Sequence, residues 1–133
     1  MTYFLAKTEP KAYSIEQLER DKTTVWDGVR NAQALRAIQQ MKPHDNILIY
    51  HSLGETSIVG LARVTSDPRL DPKDEKSWVV DVTFVRRFGH PVTLQEIKAT
   101  HRFDDWSLIR QGRLSVMEVP TSFITWLKEK KVL

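Results

Sequence analysis

Ser77-Trp78-Val79-Val80-Asp81-Val82-Thr83-Phe84-Val85-Arg86-Arg87-Phe88 is the stretch that decides the fold class. Trp78, Val80, Val82 and Phe84 alternate to one side, the period-2 pattern of a strand with one face on a core. β-branched and aromatic side chains dominate it, as a half-buried pleated surface favours. Upstream stand two further apolar, β-branched-rich runs, Ile47 to His51 and Ile58 to Val64. The turn-like Ser52-Leu53-Gly54-Glu55 joins them as a hairpin or as two neighbouring strands. Between Val64 and the long strand, Ser66 to Lys76 combines two prolines, heavy charge and no apolar period, and is expected to be a long exposed loop.

Farther out the pattern changes from strand to helix. Residues 3–7 form an expected first strand. Ser14 then starts a helix, with Gln17 placed for a capping box and Tyr13 and Leu18 for a hydrophobic staple. A second helix starts at Asn31, with Ala34, Leu35, Ile38 and Met41 on one face, and ends before Pro43. Downstream, Thr93 to Ala99 is a short helix with Thr93 and Glu96 as capping box and Val92 and Ile97 as staple. Leu114 to Val119 is another strand. Thr121 to Lys130 is a closing helix burying Phe123, Ile124 and Leu127, its lysines near its negative end. The order is β, α, α, then several strands interrupted by small helices, too few of them regular crossovers for a doubly wound sheet. This predicts an α+β chain: a small, twisted, partly closed sheet flanked by helices, forming one domain over residues 1–133.

Composition supports that reading. The 133 residues suffice for one core, and 41% apolar with 28% charged content is that of a globular protein. With no cysteine there is no disulfide framework, thiolate zinc site or thiol nucleophile. Met1 to Lys7 meets a charge too early for the apolar core of a signal peptide. No apolar run approaches the ~20 residues of a membrane helix. The expected location is cytoplasmic, and the lack of a long apolar patch points to a monomer. A net charge of +3 leans toward an anionic partner.

The chemistry-bearing residues gather elsewhere, at Lys7-Thr8-Glu9-Pro10 and Trp26-Asp27-Gly28-Val29-Arg30-Asn31. A flat apolar plate, a glycine permitting close backbone approach, an asparagine and balanced charges stand within a few residues. These are the parts of a nucleobase site: a ring to stack on, amides and polar side chains to read an edge, cations for phosphate. The competing reading of Trp26 is a core tryptophan. Trp78, Trp106 and Trp126 sit in strand or helix periodicities and are expected in the core, although Trp106 could line a cleft. Catalytic patterns are wanting. The four histidines are scattered without metal-ligand spacing, and no nucleophile elbow or phosphate-cradling glycine loop is present. His51 could act as a general base if Asp27 or Glu9 oriented it; otherwise it is a strand-end histidine satisfied by the backbone. Asp104 and Asp105 are read as a turn or cap.

Lys7-Thr8-Glu9-Pro10 with Tyr13-Ser14, then Trp26-Asp27-Gly28-Val29-Arg30-Asn31 and Gln33-Ala34, resemble the signature of the EVE domain family. Tyr50-His51-Ser52, Ile58-Val59-Gly60-Leu61-Ala62 and Arg113-Leu114-Ser115-Val116 continue the resemblance over nearly the whole chain. It implies a PUA-like fold, a small mixed or antiparallel β-barrel flanked by short helices, related to the YTH readers of methylated adenine in RNA. It also implies a non-enzymatic binder of modified bases in DNA or RNA, above all modified cytosine in DNA, without metal or cofactor. Trp26 would then stack on a flipped-out base. Thr8, Glu9 and the backbone of Asp27, Gly28 and Val29 would read its edge, and Lys7, Ser14, Asn31, Tyr50, His51 and Ser52 would complete the pocket. Arg30, Arg110 and Arg113 would meet phosphates. Ala32 and Leu35 depart from the family pattern, which has an aromatic and an arginine there; the smaller residue at 32 would widen a pocket wall. The alternatives are an enzyme processing a modified nucleotide with His51 as base, or a module binding a small molecule.

Overall fold

In the computed structural model, which describes residues 1–133, one strand organises the sheet. This strand, β6, runs through Asp74–Thr93, well beyond both ends of the stretch that predicts it. The elements before it are β1 (Tyr3–Thr8), α1 (Ile15–Asp21), β2 (Thr23–Trp26), α2 (Ala32–Gln39), β3 (Asn46–His51), β4 (Ser57–Val64) and β5 (Arg69–Asp71). After it come α3 (Leu94–Ala99), α4 (Ser107–Arg110), β7 (Val116–Glu118) and α5 (Thr121–Glu129). The seven strands form the path β2-β6-β4-β3-β1-β7, with β5 added to β6. Only β1 and β3 run parallel, Thr8 lying opposite His51; every other pairing is antiparallel. The chain is therefore α+β, as the element order predicts.

Local chemistry explains the helix starts. The Ser14 hydroxyl accepts from the Gln17 N–H at 3.2 Å while the Gln17 carbonyl oxygen accepts from the Ser14 N–H at 2.7 Å, closing the capping box. Asn31 Oδ1 caps α2 through the N–H groups of Gln33 and Ala34. Thr93 caps α3 through Glu96 N–H alone. Irregular register in the β3–β4 and β4–β6 pairings bends the sheet. At the bend α1 packs so closely on Gly60 that a Cβ there would lie 2.7 Å from Ile15 Cδ1 and 2.8 Å from the Arg86 carbonyl oxygen.

One cluster of 36 buried residues fills the interior, including Trp26, Trp106 and Trp126; Trp78 is half-buried against it. Phe103, Trp106, Phe123 and Trp126 stack at centroid separations from 4.7 to 5.6 Å, bringing α5 and the chain before α4 together.

One sequence expectation is corrected and two elements are added. Thr23–Trp26, unassigned from sequence, is an edge strand, and three consecutive β-branched residues, Thr23-Thr24-Val25, carried the signal. Arg69–Asp71 pairs back on β6, so much of the expected 66–76 loop is a hairpin whose prolines and charges suit an outer strand. Ser107–Arg110 is one helical turn, too short to show a period.

Candidate nucleic-acid interface

The sheet curls until β2, at one end of its path, faces β1 near the other. A cavity of about 360 Å³ occupies that gap, within the size range of small-ligand sites. Its walls are Lys7 and Thr8 of β1, Ala12 and Tyr13 of the following turn, Thr24 to Val29, and Ser115 just before β7. The seam thus unites the two motifs that the sequence keeps far apart.

Trp26 is 8% exposed, so it is both a cavity wall and a core residue; the two readings of it hold together. Ser77 Oγ donates to the Val29 carbonyl at 2.7 Å and pins the loop after β2 to β6. Gly28 takes φ of 77°, a left-handed turn that a side chain disfavours. The result leaves the N–H groups of Asp27, Gly28 and Val29 with no carbonyl partner in the chain. Three successive donors therefore border the cavity.

On the opposite wall Lys7 Nζ donates to the Gly112 carbonyl at 3.0 Å and sits 5.5 Å from the centre of the Tyr50 ring. No carboxylate pairs with it. Burial pushes its ammonium below the ordinary lysine range. Thr8 Oγ1 donates to the Tyr13 carbonyl at 2.8 Å, which leaves its lone pairs for a ligand donor. Tyr13 is half-buried, and its hydroxyl donates to Asp21 at 2.8 Å, fixing a second aromatic in the wall.

The other candidate residues stand outside the lining. Glu9 is exposed, its carbonyl accepting from the Ala12 and Tyr13 N–H groups. Ser14 and Asn31 cap their helices. Tyr50 is buried behind Lys7. Ser52 N–H donates to the Thr8 carbonyl at 3.0 Å. His51 Nε2 accepts from the Ile15 N–H at 3.1 Å and serves the start of α1. Desolvation holds its pKa below the ordinary histidine value, against the opposing charge of Glu16. Ala32 is exposed and does not border the cavity, and Leu35 lies in the core. Ala12, Tyr13, Thr24, Val25 and Ser115 are lining residues beyond the sequence candidates. Tyr13 carried a signal, an aromatic beside the Lys7 motif, that the staple reading absorbed.

Of the three expected phosphate contacts, Arg30 is exposed and pairs with Asp74 at 3.3 Å. Arg110 lies 3.7 Å from Asp105, and Arg113 is exposed without an ion pair. No three His, Asp or Glu side chains gather to hold a metal ion. No helix is long and apolar enough to cross a membrane.

The curled sheet with its flanking helices is a PUA-like α+β fold with an open, donor-lined seam. The model of the EVE domain matches residues 2–129, and the chain belongs to that family. Among curated relatives, thymocyte nuclear protein 1 of Rattus norvegicus is 35% identical over 75% of this chain. The match takes in 57% of the rat protein, so the chain spans under two thirds of that relative. A Rhodopseudomonas palustris protein solved by NMR superposes with a TM-score of 0.90 at 32% identity, covering 97% of this chain and 92% of its own. Human THYN1 protein, crystallised in complex with DNA containing 5-methylcytosine, superposes with a TM-score of 0.87 at 26% identity, covering 98% of each chain.

Proposed function

We propose that this chain binds nucleic acid and takes a modified base, a modified cytosine in DNA, into the cavity beside Trp26, without catalysing a reaction on it. One observation carries the reading: the seam joins an aromatic wall, three unpartnered backbone donors and a lysine in a space the size of a small ligand. The DNA complex of the human neighbour supports the partner. Stacking a base on an aromatic face is worth about 1–3 kcal/mol and is tolerant of base identity, so discrimination falls to the edge contacts. Thr8 and the Asp27, Gly28 and Val29 amides are the groups placed to make them. Arg113, exposed and unpaired two positions before the lining Ser115, is the cation best placed for phosphate. His51 supports the non-catalytic reading, because its acceptor nitrogen is already committed to Ile15.

The test is a titration against matched oligonucleotides carrying plain, 5-methyl- and 5-hydroxymethylcytosine, and N6-methyladenine, as DNA and as RNA. Trp26→Ala and Ala12→Trp are compared with the wild type. Ala12 is exposed on the cavity wall, so a tryptophan there plugs the space without touching the core. The expected result is a preference for one modified base that both variants lose, by tenfold or more for the stacking loss. Equal binding of every oligonucleotide, unchanged by Ala12→Trp, contradicts the reading.

A further inference from the structure

The cavity holds one cation and that cation has no counter-ion. Lys7 is half-buried, its ammonium donating to the Gly112 carbonyl and lying over the face of Tyr50, with no carboxylate beside it. Asp27, the one acid among the lining residues, is exposed and forms no ion pair with it. Taking a charge out of water without pairing it is unfavourable, and the cost is recovered when an anion arrives. Across the seam stand the unpartnered N–H groups of Asp27, Gly28 and Val29, around the left-handed Gly28. Successive backbone amides in such a turn form a concavity suited to anionic oxygens. Thr24 and Ser115 add hydroxyl-bearing side chains to the same lining. These donors stand beside the apolar walls of Val25, Trp26 and Val29, whereas a methyl group needs only apolar contact.

We propose that the substituent this cavity is built to hold is an anionic one, a carboxylate on the ring of the flipped pyrimidine, with Lys7 as its counter-ion and the Asp27–Val29 amides as further donors. The inference rests on the base-binding reading above and adds to it the chemical class of the modification. An anionic oxygen could also reach Lys7 from a backbone phosphate, and the two sources behave differently. A ring carboxylate is present in one modified oligonucleotide only; a phosphate is present in all.

The experiment measures affinity for matched DNA carrying cytosine, 5-methylcytosine or 5-carboxylcytosine, with wild type and Lys7→Met, at two salt concentrations. In the wild type the 5-carboxyl oligonucleotide should bind about tenfold more tightly than the 5-methyl one, the scale of a charge-assisted hydrogen bond. Lys7→Met should abolish that preference, weakening the 5-carboxyl complex about tenfold more than the 5-methyl one. Lys7→Gln serves the same comparison if the methionine variant melts early. Tighter binding of the 5-methyl than the 5-carboxyl oligonucleotide in the wild type overturns the inference and leaves the base-binding reading standing. Equal binding of all three overturns the carboxylate; if Ala12→Trp also leaves that binding unchanged and the other modified oligonucleotides bind no better, the base-binding reading falls with it. Uniform weakening by Lys7→Met, with a salt slope shallower by about one charge, assigns Lys7 to a backbone phosphate and overturns the carboxylate.

Discussion

His51 shows how a residue's surroundings choose among its chemical options. Its position at the end of β3 would suit a general base, yet its Nε2 lone pair receives the Ile15 N–H at the start of α1. Protonation would remove that acceptor and place a donor against a donor. Because burial lowers the native pKa while the unfolded chain keeps the ordinary value, the neutral form stabilises the fold. The contribution is fully present above about pH 6.5 and is lost as pH falls through the lowered native value. Urea unfolding midpoints at pH 7.5 and pH 5 should therefore fall more for the wild type than for His51→Gln, which keeps an acceptor and cannot titrate. Equal falls in both proteins would remove the proposed bond from the stability of α1. Chemistry of this kind is only half legible in the sequence. Lys7, Thr8, Trp26, Asp27, Gly28 and Val29 could be singled out because polar and aromatic residues crowd there. Which neighbours turn toward the cavity and which cap a helix depended on where the sheet carries them: Asn31 and Ser14 have the right chemistry for either role.

Among the elements, α1 is held on the sheet by the absence of a side chain. Ile15 rests on Gly60 of β4, where the strand also meets Arg86 of β6. Gly60→Ala would drive a methyl into the Arg86 backbone oxygen at 2.8 Å and into Ile15. Overpacking of this kind typically costs about 1–3 kcal/mol, so the variant should melt several degrees below the wild type, with its unfolding followed by circular dichroism. An unchanged midpoint would mean that α1 shifts freely on the sheet. The helices were legible because capping residues and apolar periods coincide in sequence. β2 and β5 were not, because each is three or four residues long and lies on the outside of β6, where little burial pattern develops. The long strand was legible at its centre, where Val80 and Val82 are buried, and hidden at its ends, where Asp74 pairs with Asp71 and Thr93 with Ser57 but exposed charges and Pro91 break the alternation.

At the scale of the whole molecule, the cavity is a consequence of incomplete closure. Bulges bend the sheet enough for β2 to approach β1, and the loop after β2 fills part of the gap without satisfying its own amides. A protein with two seamlessly joined edges would offer no such site, so the binding function and the open barrel have one physical origin. Other concave surfaces exist, one around His101 to Trp106 and one beside Arg86, His90 and Lys131, and each is a rival site for the base. The decisive measurement is an amide NMR titration of the labelled chain with a short DNA carrying a single modified cytosine, against the same DNA unmodified. The shifts specific to the modification should centre on Lys7, Thr8, the Thr24–Val29 segment and Ser115, with the Asp27, Gly28 and Val29 amides moving most. Modification-specific shifts centred on either of the other two surfaces, with the Thr24–Val29 amides unmoved, would contradict it.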